Sequence, residues 1–270
     1  MHVLSLGAGV QSSTLALMAA RGEIGPMPEL AIFADTGWEP SAVYDWLSWL
    51  ETQLPFPVVR VQKGDIREEQ ITARMRGGRI NGHRWASLPY FVDTGGQREG
   101  RIRRQCTAEY KIEPIETYLK REILGLKPRQ HSPREVRIVQ WRGISADEAQ
   151  RMKPSRERWM EVRYALAMEL GYTRNDCLKW MERNSYPRPP RSACIGRPFH
   201  SNDEWREMRD SRPEEWADAV EFDAAIRTAG GMRGHSYLHR SLLSLDQAPI
   251  DGNANQADLW GEKCEGMCGV

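Results

Sequence analysis

The chain has 270 residues, enough to bury a full core and to form either one large domain or one domain with a sizeable appendage. Lys plus Arg total 38 against 37 for Asp plus Glu, so no net pull toward nucleic acid or a membrane surface operates at whole-chain level. The longest apolar run near the start is broken by Ser5 and Gln11 and has no basic leader, so neither a signal peptide nor a membrane span is read and a cytoplasmic protein is expected.

In chain order, His2 to Leu6 is a short apolar run ending in a glycine-rich turn, and Ser12 to Arg21 follows with helical periodicity. Leu30 to Ala34 predicts a second strand. An amphipathic stretch from Pro40 to Leu54 then places Val43, Trp46, Leu47 and Leu50 on one face. Val58 to Val61 and Val136 to Gln140 predict two more strands. Strands alternating with helices predict an α/β fold, with a parallel, doubly wound sheet. Gly77 to Arg104 is rich in Gly and Arg with few periodic apolar positions and reads as a mobile loop or lid. After Pro154 the pattern turns helical, at Tyr164 to Leu170, Thr173 to Arg183, Asp203 to Arg209 and Pro213 to Arg227. The expected division is therefore a nucleotide-binding α/β domain over 1–154 and a mainly helical region over 155–270.

Ser5-Leu6-Gly7-Ala8-Gly9-Val10-Gln11-Ser12-Ser13 places two glycines and several hydroxyls between a strand and a helix N-terminus. Glycines let the backbone approach an anion closely, and the N–H groups and dipole of the helix favour negative charge there. A phosphate cradle is one reading; a tight turn with Ser12 as helix cap is the other. Asp35-Thr36-Gly37 ends the second strand, where open α/β sheets bind ligands.

Together these segments resemble the phosphoadenosine-phosphosulfate reductase family of the PP-loop superfamily, the adenine nucleotide α-hydrolases. Gly7 to Ser12 is similar to the family's Ser-Gly-Gly-x-Asp-Ser loop, with Gly7 in place of the first Ser and Gln11 in place of the acid. Arg104-Gln105-Cys106 with Lys111 and Pro114 is similar to its Cys-containing segment. Gly143-Ile144-Ser145-Ala146-Asp147-Glu148 with Arg151 resembles its Gly-Ile-x-x-Asp-Glu-x-x-Arg stretch.

The resemblance implies an adenine nucleotide, ATP or a relative, bound by Ser5, Gly7, Ala8, Gly9, Gln11, Ser12, Ser13, Asp35, Thr36, Gly37, Gly143 and Ser145. It implies attack at the α-phosphate of ATP to activate a substrate for sulfur transfer or a related modification. Lys111 and Arg151 would offset phosphate charge, with Arg101, Arg103 and Arg104 as lid contacts. Asp147 and Glu148 either ligate magnesium or cap the helix they begin.

Five cysteines in a chain this long argue against a disulfide framework and leave metal ligation or redox chemistry. Cys106, Cys194, Cys264 and Cys268 fall in loop-like surroundings and are candidate ligands of a 4Fe-4S cluster, while Cys177 lies inside a helix and reads as core. Structural thiols and a zinc site are the alternatives. Ser192 to Phe199 resembles the Cys-x-x-Cys-Pro-Phe segment of cluster-bearing relatives, with Arg197 at the second cysteine position.

Two other functions stay open. A sulfonucleotide reductase would use Cys268 as nucleophile with a thioredoxin or glutathione donor. An accessory subunit would bind nucleotide without turnover. A nucleic acid substrate is a further expectation, from Arg74, Arg76, Arg79, Arg84 and Arg98 to Arg104 interleaved with His83, Trp85 and Tyr90.

Overall fold

The computed structural model describes residues 1–75, 79–80, 83–84, 88–95, 100–101, 104–227 and 234–251. Its centre is a five-stranded sheet of β1 (His2–Ser5), β2 (Leu30–Asp35), β3 (Val58–Gln62), β4 (Ile138–Arg142) and β5 (Met160–Arg163). The strands run in the order β3-β2-β1-β4-β5, and every pairing is parallel. Val3 aligns with Leu30 on one side and with Gln140 on the other, so β1 is the central strand.

Alternation along the strands sorts their side chains onto two faces. Leu4, Ala31, Phe33 and Trp141 join one core with α1 (Val10–Ala20) and α2 (Ser41–Gln53). Val3, Leu30, Ile32, Ala34 and Ile138 join another with Ile115 of α4 (Glu113–Tyr118) and Trp159. Helices therefore cover both faces, which accounts for the nearly unbroken apolar run of β2. Helix α1 is buried from Val10 to Ala19 because the sheet, α2 and α5 (Arg174–Arg183) enclose it. The face of α2 that packs inward is Val43, Trp46, Leu47 and Leu50, the four positions its periodicity selects.

Two elements depart from the sequence reading. β5 lies past residue 154, within the region expected to be helical, so the sheet draws on both sides of that division. Within 77–104, Phe91–Asp93 is a strand paired antiparallel with His235–Tyr237, and Leu88 and Tyr90 are fully buried, so this part is a built element and not a loop.

Helices α6 (Asn202–Ser211) and α7 (Pro213–Ile226) form a third core through Trp205, Met208 and Phe222, which packs on Trp38, Ile66 of α3 (Ile66–Met75) and Tyr90. The helical region thus closes over the exit of β2. No helix among the described residues is long and apolar enough to cross a membrane.

Candidate functional site

The chain leaves β1, builds β2 and β3 on one side of it, then returns to add β4 and β5 on the other. Loops leaving β1 and β4 at their carboxyl ends therefore diverge, and such a crevice is where open α/β sheets take ligands. A cleft of about 520 Å³, including its solvent-open mouth, lies there. Its floor is Gly7, Gly9, Val10, Gln11 and Ser12 after β1 and Gly143 after β4. Its walls are Arg174 at the start of α5 and the segment Pro190 to Ser192.

The floor is built for backbone approach. Ala8 adopts a left-handed conformation with φ 52°, strained for a residue with a Cβ. Gly9 is the N-cap of α1 and supplies no side-chain hydrogen bond to the helix. The Ser12 hydroxyl instead accepts from the Gly7 N–H at 3.2 Å and lies 3.4 Å from the Gly9 carbonyl oxygen, folding the loop onto the helix. The cap expected at Ser12 is thus a loop clasp. Gly143 is held so close to α1 that a Cβ would lie 2.7 Å from the Ser12 backbone nitrogen.

Beside the cleft Gln11 is buried and shared. Its Nε2 donates to the Ser145 hydroxyl at 3.4 Å and to Glu148 Oε2 at 3.2 Å, and its Oε1 accepts from Arg174 at 3.4 Å. Glu148 also pairs with Arg151 at 2.7 Å, and burial raises its pKa despite that arginine. Asp147 accepts from the backbone N–H of Arg174. Glu148 Oε2 is held by Gln11 and Arg151, and no third His, Cys, Asp or Glu joins these two carboxylates among the described residues, so they do not make up a magnesium site.

A second polar cluster sits at the end of β2. The Asp35 carboxylate accepts from the Gly37 N–H and from the Tyr44 hydroxyl, both at 2.8 Å, and Gly37 takes φ +74° in the turn. Thr36 donates to Glu39 at 3.2 Å. Glu39, its side chain wholly buried, pairs with Lys111 at 3.0 Å. The segment 190–197 spans the two clusters. Ser192 lies beside Gly9, the Ile195 N–H donates to the Trp38 carbonyl, and Cys194 Sγ is 3.4 Å from Thr36 Oγ1 and 3.7 Å from Glu39 Oε1.

The expected site residues therefore divide. Gly7, Gly9, Gln11, Ser12 and Gly143 line the cleft, and Ser145 supports it through Gln11. The Ser5 hydroxyl accepts from Gln140 at 2.7 Å, and that of Ser13 accepts from Trp46 in the core. Lys111 and Arg151 are held in ion pairs with Glu39 and Glu148. Arg174, Arg191 and Glu39 were not selected from sequence. A capping box at Thr173 and Asp176 marks the start of α5, yet nothing in the sequence says that α5 lies beside α1.

The cysteines divide as well. Cys177 is core, beside Thr14, and burial pushes its thiol up to about 12. Cys106 packs against the apolar cluster of Tyr90. Cys194 is buried with a carboxylate and a hydroxyl at hydrogen-bond range, and Arg197 is buried in the same turn, a setting that does not fit a cluster-bound thiolate. Cys264 and Cys268 lie outside the described residues, as do Arg103 and the side chains of most of the candidate nucleic-acid patch. Among the described residues no three His, Cys, Asp or Glu side chains group to hold a metal ion.

No protein-family model and no curated protein matches the chain. It is similar to the crystal structure of a phosphoadenylyl-sulfate (PAPS) reductase from Candida auris in phosphate complex, with 12% identity and a TM-score of 0.41, over 70% of this chain and 74% of that one. At that overlap the fold rests on the strand order itself: a parallel, doubly wound α/β sheet with helices α6 and α7 closing over one end.

Proposed function

We propose that the chain is an enzyme that binds an adenine nucleotide with its phosphates over the N-terminus of α1. The observation that carries this reading is the cleft at the sheet's switch point, floored by a side-chain-uncapped helix start and walled by Arg174 and Arg191. Following the sequence resemblance, the nucleotide is ATP. Attack at its α-phosphate releases pyrophosphate and activates a substrate for sulfur transfer or a related modification. Backbone N–H groups of the loop and the arginine wall would offset charge on the phosphates, while Gly143 keeps the two loops close enough to share one anion.

Product analysis tests the proposal. ATP incubated with the chain, an acceptor substrate and a sulfur donor is expected to yield pyrophosphate as the acceptor is adenylylated and AMP as sulfur displaces the adenylyl group. Sulfite released from a sulfonucleotide in the presence of thioredoxin or glutathione would instead favour a reductase in which Cys268 attacks sulfur. ATP bound without turnover under both conditions would favour an accessory role.

A further inference from the structure

Three arginines stand at or next to the cleft, and their charges are not equally available. Arg151 is paired with Glu148, and Arg191 is paired with Glu204 of α6. Arg174 makes no ion pair among the described residues; its guanidinium reaches only the side-chain carbonyl of Gln11, at 3.4 Å. A hydrogen bond to a neutral amide at that length is weak, whereas one to a phosphate is charge-assisted, shorter and roughly twice as strong. Gln11 therefore orients Arg174 without cancelling it. Its amide can do so because its other end is anchored: Nε2 donates to Glu148, whose second oxygen, Oε1, has no hydrogen-bond partner and is buried.

We propose that Arg174 is the phosphate-binding residue of this cleft and that Gln11, anchored on Glu148, is its positioning residue, the neutral amide keeping the guanidinium charge available to a polyphosphate. A carboxylate at position 11 would repel Glu148 and neutralise Arg174 in the same step. The inference rests on reading the cleft as a phosphate site.

Calorimetric titration of the full chain with inorganic pyrophosphate, and separately with ATP and adenosine, tests it. Arg174→Ala is expected to weaken pyrophosphate and ATP at least tenfold and to reduce the salt dependence of binding, with adenosine unaffected; Arg174→Lys should retain part of the affinity. Gln11→Glu should lose as much as Arg174→Ala. Unchanged pyrophosphate binding in Arg174→Ala, or unchanged binding in Gln11→Glu, overturns the inference alone. A wild-type chain that binds neither pyrophosphate nor ATP overturns the phosphate reading and this inference with it.

Discussion

Gly143 and Lys111 are two residues whose replacement should cost much for a small change in volume. A Cβ at Gly143 would meet the backbone of Ser12, which cannot rotate away as a side chain can. Gly143→Ala should therefore lose about 1–3 kcal/mol, the range seen when a packed interior is overfilled. Urea unfolding measures that loss, and pyrophosphate affinity should fall with it because the loops after β1 and β4 are forced apart. Lys111→Met strands the buried carboxylate of Glu39, and removing one partner of such a pair costs about 3–5 kcal/mol. The double variant with Glu39→Gln should recover most of that stability in the same unfolding assay. A double variant no more stable than Lys111→Met would show that the ion pair is not what the site loses.

At the scale of elements, the segment 190–197 and helix α6 act as one clasp. The His200 ring places Nε2 at 3.2 Å from the Cys194 carbonyl and 3.1 Å from that of Ile195, while Arg191 pairs with Glu204. Ser201 and Glu204 form a capping box that starts the helix. Withdrawal from water, helped by Arg197, lowers the His200 pKa to about 3 from an ordinary 6.5. The unfolded ring takes up its proton near 6.5 and the folded ring resists until about 3, so the unfolded state binds more protons across that window. Stability should then fall as pH drops from about 6.5 toward 3. His200→Gln keeps an N–H donor for the carbonyls without titrating, and its stability in urea unfolding should depend less on pH over the same range. Part of the slope will persist, because His239 is also lowered, to about 4. A slope equal to that of the wild type would rule out His200 as its source.

How far the sequence anticipates these elements follows from where each finds its partner. β1 to β4 and the helices α1, α2, α5, α6 and α7 show in local periodicity because each turns apolar side chains toward a core. β5 does not: Met160 to Arg163 is four residues with two charges, at the sheet edge, with only Met160 buried. Phe91–Asp93 escapes notice because its partner, His235–Tyr237, is remote in sequence. The glycine loop and Gly143 are legible as chemistry, since backbone approach demands small residues. Arg174 is not, since its role depends on α5 lying beside α1. The capture of Lys111 by Glu39 is likewise a matter of tertiary packing.

For the whole molecule, the strand order puts one crevice beside the central strand, and the helical region closes over the neighbouring end of β2. The near-balance of acidic and basic residues leaves little long-range field, so an anionic ligand would be held by local geometry: helix start, loop N–H groups and Arg174. A crystal structure of the full chain with an ATP analogue carrying a methylene bridge between its α and β phosphates tests this most directly. The account predicts phosphate oxygens within hydrogen-bond distance of the backbone N–H groups at the start of α1 and of the Arg174 guanidinium. A nucleotide ordered elsewhere on the chain, with the cleft between Gly9, Gly143 and Arg174 occupied only by solvent, would contradict it.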